Sequence, residues 1–252
     1  MTTPTAQATA ARADNLSKIY GDGATRVTAL DQVSLEICSR SFTAIMGPSG
    51  SGKSTLMHCM AGLDSADGGQ AWIGGTEITA LPERRLTRLR RDRVGFVFQA
   101  YNLLPALTAA DNITLPLDIA GRPADRAWLG TVVDAVGLRP RLQHRPAELS
   151  GGQQQRVAIA RALAGRPEII FADEPTGNLD SRAGAEVLDL LRCCVREFGQ
   201  TIVMVTHDPA AACYADQVVF LADGRIAGRL DQPAPQTVLD RMAALDPALG
   251  SE

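Results

Sequence analysis

The feature that most constrains this chain is a nine-residue run, Gly47-Pro48-Ser49-Gly50-Ser51-Gly52-Lys53-Ser54-Thr55, which fits the pattern GxxxxGK[ST]. It follows an apolar stretch at 42–46 that reads as a buried strand and precedes a helical stretch at 54–61. A strand that turns through glycines into a helix makes a cradle for phosphate. The glycines let successive backbone N–H groups point inward at phosphate oxygens, and the helix N-terminus adds positive potential. Lys53 is placed to bridge the terminal phosphates, and Ser54 to offer its hydroxyl to Mg²⁺. A plain Gly-rich turn is the competing reading, and the flanking strand and helix argue against it.

Such a cradle needs a carboxylate for the metal at the end of a neighbouring buried strand. The run Glu168-Ile169-Ile170-Phe171-Ala172-Asp173-Glu174 supplies one. Asp173 can accept from water on Mg²⁺, while Glu174 is free to orient and deprotonate an attacking water. Further apolar runs predict strands at 34–37, 94–98, 201–206 and 217–221. The segment 182–198 puts Val187, Leu190, Leu191, Cys194, Val195 and Phe198 on one helical stripe, with Gly199 as its cap. Strands alternating with such helices indicate an α/β sheet carrying ligands at the carboxyl ends of its strands. Residues from about 100 to 165 interrupt the alternation with mostly helical sequence and suggest an inserted subdomain. Residues 1–13 read as a loose tail, and 230–252 as a C-terminal extension whose pattern allows a short amphipathic helix.

Composition narrows the class. At 252 residues, 45% hydrophobic and 21% charged, the chain is no disordered polymer, and a net charge of -3 makes no blanket polycation for nucleic acid. No apolar run reaches the roughly 18 residues needed to span a bilayer, and the first residues lack the apolar centre of a signal peptide. Five scattered cysteines fit small buried thiols better than a disulfide framework or a zinc knuckle. The 25 basic residues include lysine only at Lys18 and Lys53. Lys53 lies in the cradle, where a compact ammonium fits between phosphates, whereas Lys18 reads as a surface residue.

A second helix start carries chemistry. Leu149-Ser150-Gly151-Gly152-Gln153 heads a helical run ending near Gly165, and Ser150 with Gln153 has capping-box spacing. Two glycines there leave backbone N–H groups open to another anion. With this LSGGQ pentapeptide the chain resembles the ATP-binding cassette (ABC) ATPases, over about residues 15–228. The resemblance implies an α/β fold: a P-loop NTPase (RecA-like) core, an antiparallel β subdomain and an inserted helical signature subdomain. It implies that Tyr20 stacks on adenine and that Gln99 reaches the metal and the nucleophilic water. It also implies that Asp180, in Asn178-Leu179-Asp180, belongs to the D-loop and that His207 contacts the γ-phosphate. Taken singly, Tyr20, Gln99 and a strand-end His are ordinary residues; their order and spacing favour the functional reading. His58 and His144 match no motif.

The segments Phe96-Val97-Phe98-Gln99 and Ala172-Asp173-Glu174-Pro175-Thr176-Gly177-Asn178-Leu179-Asp180-Ser181 are similar to the group serving lipoprotein release, macrolide export and cell division. One departure is Arg40-Ser41-Phe42, where the family has Gly-Glu-Phe, so a tight turn must form without glycine. One cradle and one signature per chain imply a head-to-tail homodimer, or a heterodimer with a similar subunit, closed by ATP and Mg²⁺. The implied partner is an integral membrane permease, which puts the subunit peripherally on the cytoplasmic face of the membrane. A regulatory or force-transmitting role without transport is the alternative. A small-molecule kinase is disfavoured by LSGGQ and His207. The six arginines within 84–93 read first as a solvated helix, then as a contact for permease or lipid, and no nucleic acid is expected.

Overall fold

The computed structural model describes residues 8–245. In chain order the elements begin with β1 (Thr9–Tyr20), β2 (Val27–Cys38), β3 (Phe42–Met46), α1 (Lys53–Met60), β4 (Gly68–Ile73), β5 (Thr76–Glu77), α2 (Glu83–Arg93) and β6 (Val94–Phe98). The helical insertion follows as α3 (Ala109–Ile119), α4 (Arg126–Ala135) and α5 (Gly151–Ala164). The chain then returns through β7 (Ile169–Asp173), α6 (Ser181–Phe198), β8 (Ile202–Val205), α7 (Pro209–Ala212), β9 (Gln217–Ala222), β10 (Arg225–Asp231) and α8 (Pro235–Leu245).

Two sheets result. The larger runs β10-β9-β3-β8-β7-β6, parallel except for the antiparallel edge strand β10. Its strands are apolar on both faces because both faces are covered. Phe42, Ala44 and Met46 face a core shared with α3, α5 and α6, while Ile45, Phe171, Val203 and Val205 face one shared with α1 and the smaller sheet. The smaller sheet, β2-β1-β4-β5, is antiparallel.

Strand β1 corrects the expected loose tail: residues 9–13 are paired with β2 and β4, and residues 1–7 lie outside the described residues. The strand escapes a period-2 reading because it carries register shifts and Asn15 at a φ of 47°. The C-terminal extension forms the last residue pairs of β10 and then α8, whose Val238 and Met242 are buried.

The turn lacking glycine is made by Arg40 at a φ of 59°, a left-handed conformation that costs a residue with a Cβ about 1–2 kcal/mol. Local bonds hold it: Arg40 N donates to Thr201 Oγ1 at 2.9 Å, and Ser41 Oγ to the Cys38 carbonyl at 2.7 Å.

Two of the six arginines in the run, Arg90 and Arg93, are structural. Arg93 donates to both Glu168 oxygens (2.6 and 2.7 Å), to Thr76 Oγ1 and to the Ile73 carbonyl, which ties the small sheet to the large one. Arg90 pairs with Glu83 and Arg91 with Asp92, while Arg84, Arg85 and Arg88 are exposed. All five cysteines are free thiols, buried or half-buried, in line with the sequence reading.

Candidate nucleotide site

Register brings the predicted residues together. Ile45 pairs with Val205 and Val205 with Asp173, so the carboxyl ends of β3, β8 and β7 stand abreast, and Phe98 of β6 pairs with Asp173 from the other side. Gly47, His207, Glu174 and Gln99 therefore leave adjacent strand ends, although up to 160 residues separate them in the chain.

The cradle depends on missing side chains. A Cβ on Gly47 would lie 1.9 Å from the Leu221 carbonyl oxygen, and one on Gly52, at a φ of 98°, would lie 2.2 Å from that of Ala29. Gly52 begins α1 with no side-chain cap, so no side chain competes for the first-turn N–H groups. Lys53 Nζ donates to the carbonyls of Gly47 (2.9 Å) and Pro48 (2.8 Å), drawn over the loop it serves. Burial lowers its pKa, against the opposing pull of Glu174 and Asp173. Ser51 Oγ is buried without a hydrogen-bond partner, an orphan hydroxyl that a phosphate oxygen in the loop would satisfy.

Ser54 Oγ donates to Asp173 Oδ1 at 3.3 Å, so the two expected metal-site groups meet. Among the described residues no cluster of three or more His, Cys, Asp or Glu could cage a metal. A hydroxyl beside one carboxylate fits Mg²⁺, which keeps waters and shares its coordination with substrate phosphates. His58, which matched no motif, lies with Nε2 3.9 Å from Asp173 Oδ2. Its position four residues after Ser54 put it on the same face of α1, the one signal that could have found it.

Glu174 sits at a φ of 46°, a strained conformation for a residue with a side chain. Its N–H donates to the Val205 carbonyl at 3.0 Å, and Oε1 lies 2.8 Å from His207 Nδ1. The sequence-distant acid and imidazole are thus paired. Gln99 turns elsewhere: Nε2 donates to Asn178 Oδ1 at 3.1 Å and Asn178 Nδ2 returns a bond to the Gln99 carbonyl at 3.0 Å. Asp180 caps α6 by accepting from Ala183 N at 2.9 Å.

The second helix start forms the capping box that its spacing predicts. Ser150 Oγ accepts from Gln153 N at 3.3 Å, and Gln153 Oε1 accepts from Ser150 N at 3.0 Å. Among the described residues no hydrogen bond joins 150–153 to the cradle at 47–55.

Tyr20 is half-open to solvent, and its hydroxyl donates to Asp64 Oδ2 at 2.6 Å. Lys18 is not the surface residue expected from sequence: it is buried, with Nζ bonded to Asp64 Oδ1 at 2.9 Å and to the Ser65 carbonyl at 2.6 Å. Sequence reasoning missed Asp64, which lies 44 residues from Tyr20 in a loop without a motif.

The ABC transporter family model matches residues 30–177. The lipoprotein-releasing system ATP-binding protein of Chlorobium chlorochromatii is 45% identical over 207 residues, covering 80% of this chain and 83% of that protein. A macrolide export ATP-binding/permease protein of Marinobacter nauticus is 49% identical over 214 residues, 84% of this chain and 33% of that protein, so the chain spans about a third of its length. A solved dimeric ATP-binding cassette in a post-hydrolysis state, bound to ADP and Pi, superposes with a TM-score of 0.79 at 40% identity, covering 89% of this chain and 99% of that one. Family model, relatives and fold agree that the chain belongs to the ABC transporter family as an ATP-binding cassette, similar to those of lipoprotein-release and macrolide-export systems.

Proposed function

We propose that the chain is the ATP-hydrolysing subunit of an ABC transporter and works as a head-to-tail pair around two ATP. The carrying observation is the meeting of Lys53, Ser54, Asp173, Glu174 and His207 at three adjacent strand ends. Each ATP lies between Lys53, Ser54 and Asp173 of one subunit and Ser150, Gly151 and Gly152 of the other. Support for two chains is that, among the described residues, no hydrogen bond joins the signature helix start to the Gly47–Thr55 loop of its own chain.

The Gly47–Thr55 loop holds the phosphates through its N–H groups and Lys53. Glu174, fixed by its backbone bond to Val205, takes a proton from the water that attacks the γ-phosphate in line. Lys53 and His207 stabilise the charge that develops on the phosphoryl oxygens, and ADP and phosphate leave. Ser54 and, through water, Asp173 would hold Mg²⁺, which would supply neutralisation of the phosphate charge. Gln99 joins this site by exchanging its bond to Asn178, which links the site's opening to the D-loop. Loss of the bridging γ-phosphate then lets the halves part, turning hydrolysis into motion.

The subunit docks a membrane permease from the cytoplasmic face. A groove of about 370 Å³ beside Gln99, lined by Leu63, Phe96, Phe98, Pro116 and Arg161, offers an apolar seat with a basic rim. Among the described residues no helix is long and apolar enough to cross a membrane. Both named relatives belong to export or release systems, which favours transport over a purely regulatory role. The test is affinity purification of the Glu174→Gln chain with ATP from detergent-solubilised membranes. An integral membrane protein is expected to co-purify; its absence would leave a soluble ABC ATPase as the better reading.

A further inference from the structure

Lys18 has no part in the reaction above, yet it is one of only two lysines and is 7% exposed. An ammonium is buried only where partners replace its water. Here Asp64 and the Ser65 carbonyl do so, and the carboxylate is shared. Asp64 Oδ1 accepts from Lys18 Nζ at 2.9 Å and from Ser65 N at 2.7 Å, while Oδ2 accepts from Tyr20 Oη at 2.6 Å. The ammonium also lies 5.1 Å from the centroid of the Tyr20 ring. On the same loop Asp67 accepts from Ile19 N at 2.7 Å, fixing the backbone between the lysine and the tyrosine.

Burial and the bond to Asp64 push the Tyr20 phenol upward, so it remains a donor at neutral pH. Burial works against the Asp64 carboxylate, but the bonds from Tyr20, Lys18 and Ser65 hold it below the ordinary range and therefore charged. The loop also closes the C-terminal end of the helix that starts at the phosphate cradle: past Gly62, at a φ of 67°, Asp64 N donates to the His58 carbonyl at 3.3 Å. One short segment thus reaches from the phosphates to the aromatic ring.

Tyr20 is 42% exposed, and a free ring at such a surface would sample several orientations. A ring tethered at its hydroxyl and flanked by a fixed ammonium presents one plane, which removes part of the ordering cost of stacking a base. We propose that Lys18 and Asp64 are positioning residues for the nucleotide base, their half-buried ion pair holding the Tyr20 ring in the plane on which adenine stacks. The proposal rests on the reading of Tyr20 as the base-stacking aromatic.

The experiment measures dissociation constants on the purified full chain for MgATP and for magnesium tripolyphosphate, which has phosphates but no base. Tyr20→Ala sets the scale, with an expected loss of about five- to 100-fold for ATP and none for tripolyphosphate. Lys18→Met and Asp64→Asn are expected to weaken ATP by about three- to tenfold and to leave tripolyphosphate unchanged. Tyr20→Phe keeps the ring, breaks the tether and leaves no new buried charge, so it decides the matter should Lys18→Met fail to fold; about two- to fourfold selective loss is expected. Equal losses for both ligands, or full ATP affinity in Asp64→Asn and Tyr20→Phe while Tyr20→Ala loses it, would overturn the positioning role. Full affinity in Tyr20→Ala would overturn the stacking reading itself.

Discussion

The two glycine-bearing helix starts, at α1 and at α5, differ in how they treat their own N–H groups. Helix α1 begins at Gly52 with no side-chain cap, in a loop where a buried Ser51 hydroxyl also lacks a partner. Helix α5 begins at Ser150 with a closed capping box, which satisfies the N–H groups of Ser150 and Gln153 before any ligand arrives and leaves those of Gly151 and Gly152 outside it. An uncapped start surrounded by strand ends gains most from an anion within its own chain. A self-capped start is rigid without a ligand and can be displayed to another molecule. In the function proposed above, one helix holds the nucleotide and the other meets it.

That contrast can be broken from either side. The largest effect is expected from Glu174→Gln, which should cut turnover by about 10² to 10⁴ while ATP binding survives and closed dimers accumulate on size-exclusion chromatography. Near-normal turnover would remove Glu174 from the chemistry. Lys53→Ala should weaken ATP binding itself by about 10- to 150-fold, from the loss of charge-assisted bonds to phosphate, as read by calorimetry. Unchanged affinity would mean that α1 is not the holding end. Ser150→Ala should cost about 1 kcal/mol of stability through the lost cap, or a few degrees in Tm, and should spare ATP binding to the isolated subunit. A matching loss of binding by the monomer would erase the distinction between the two starts. The smallest effect belongs to the turn ahead of the cradle strand, where Arg40→Gly should raise stability by about 0.5–1 kcal/mol in thermal unfolding and leave turnover unchanged.

Much of this was legible before any fold was known, because some chemistry is local. A cradle is a contiguous run of glycines between a strand and a helix, a capping box is two residues three apart, and buried parallel strands are unbroken apolar runs. Strand β3 and β6 bounds agree with the sequence reading, and α6 ends at Gly199 in a left-handed cap as its pattern predicts. Local reading failed where the chain breaks its own rhythm. Strand β1 is interrupted by Asn15 at a φ of 47° and carries the polar Lys18 at a buried position, so its apolar alternation is masked; pairing with β2 and β4 makes it a strand all the same.

The sequence by itself determined the glycine-rich turn between a buried strand and a helix, the capping box at Ser150, and that Asp173 and Glu174 end another buried strand. Only the tertiary structure decided that Glu174 meets His207, that His58 approaches Asp173, that Gln99 turns to Asn178, and that Lys18 is buried on Asp64. The reason is range. Backbone turns and caps are fixed by neighbours a few residues away, whereas a contact between side chains 33, 46 or 79 residues apart depends on sheet register and loop packing, to which no local pattern is tied.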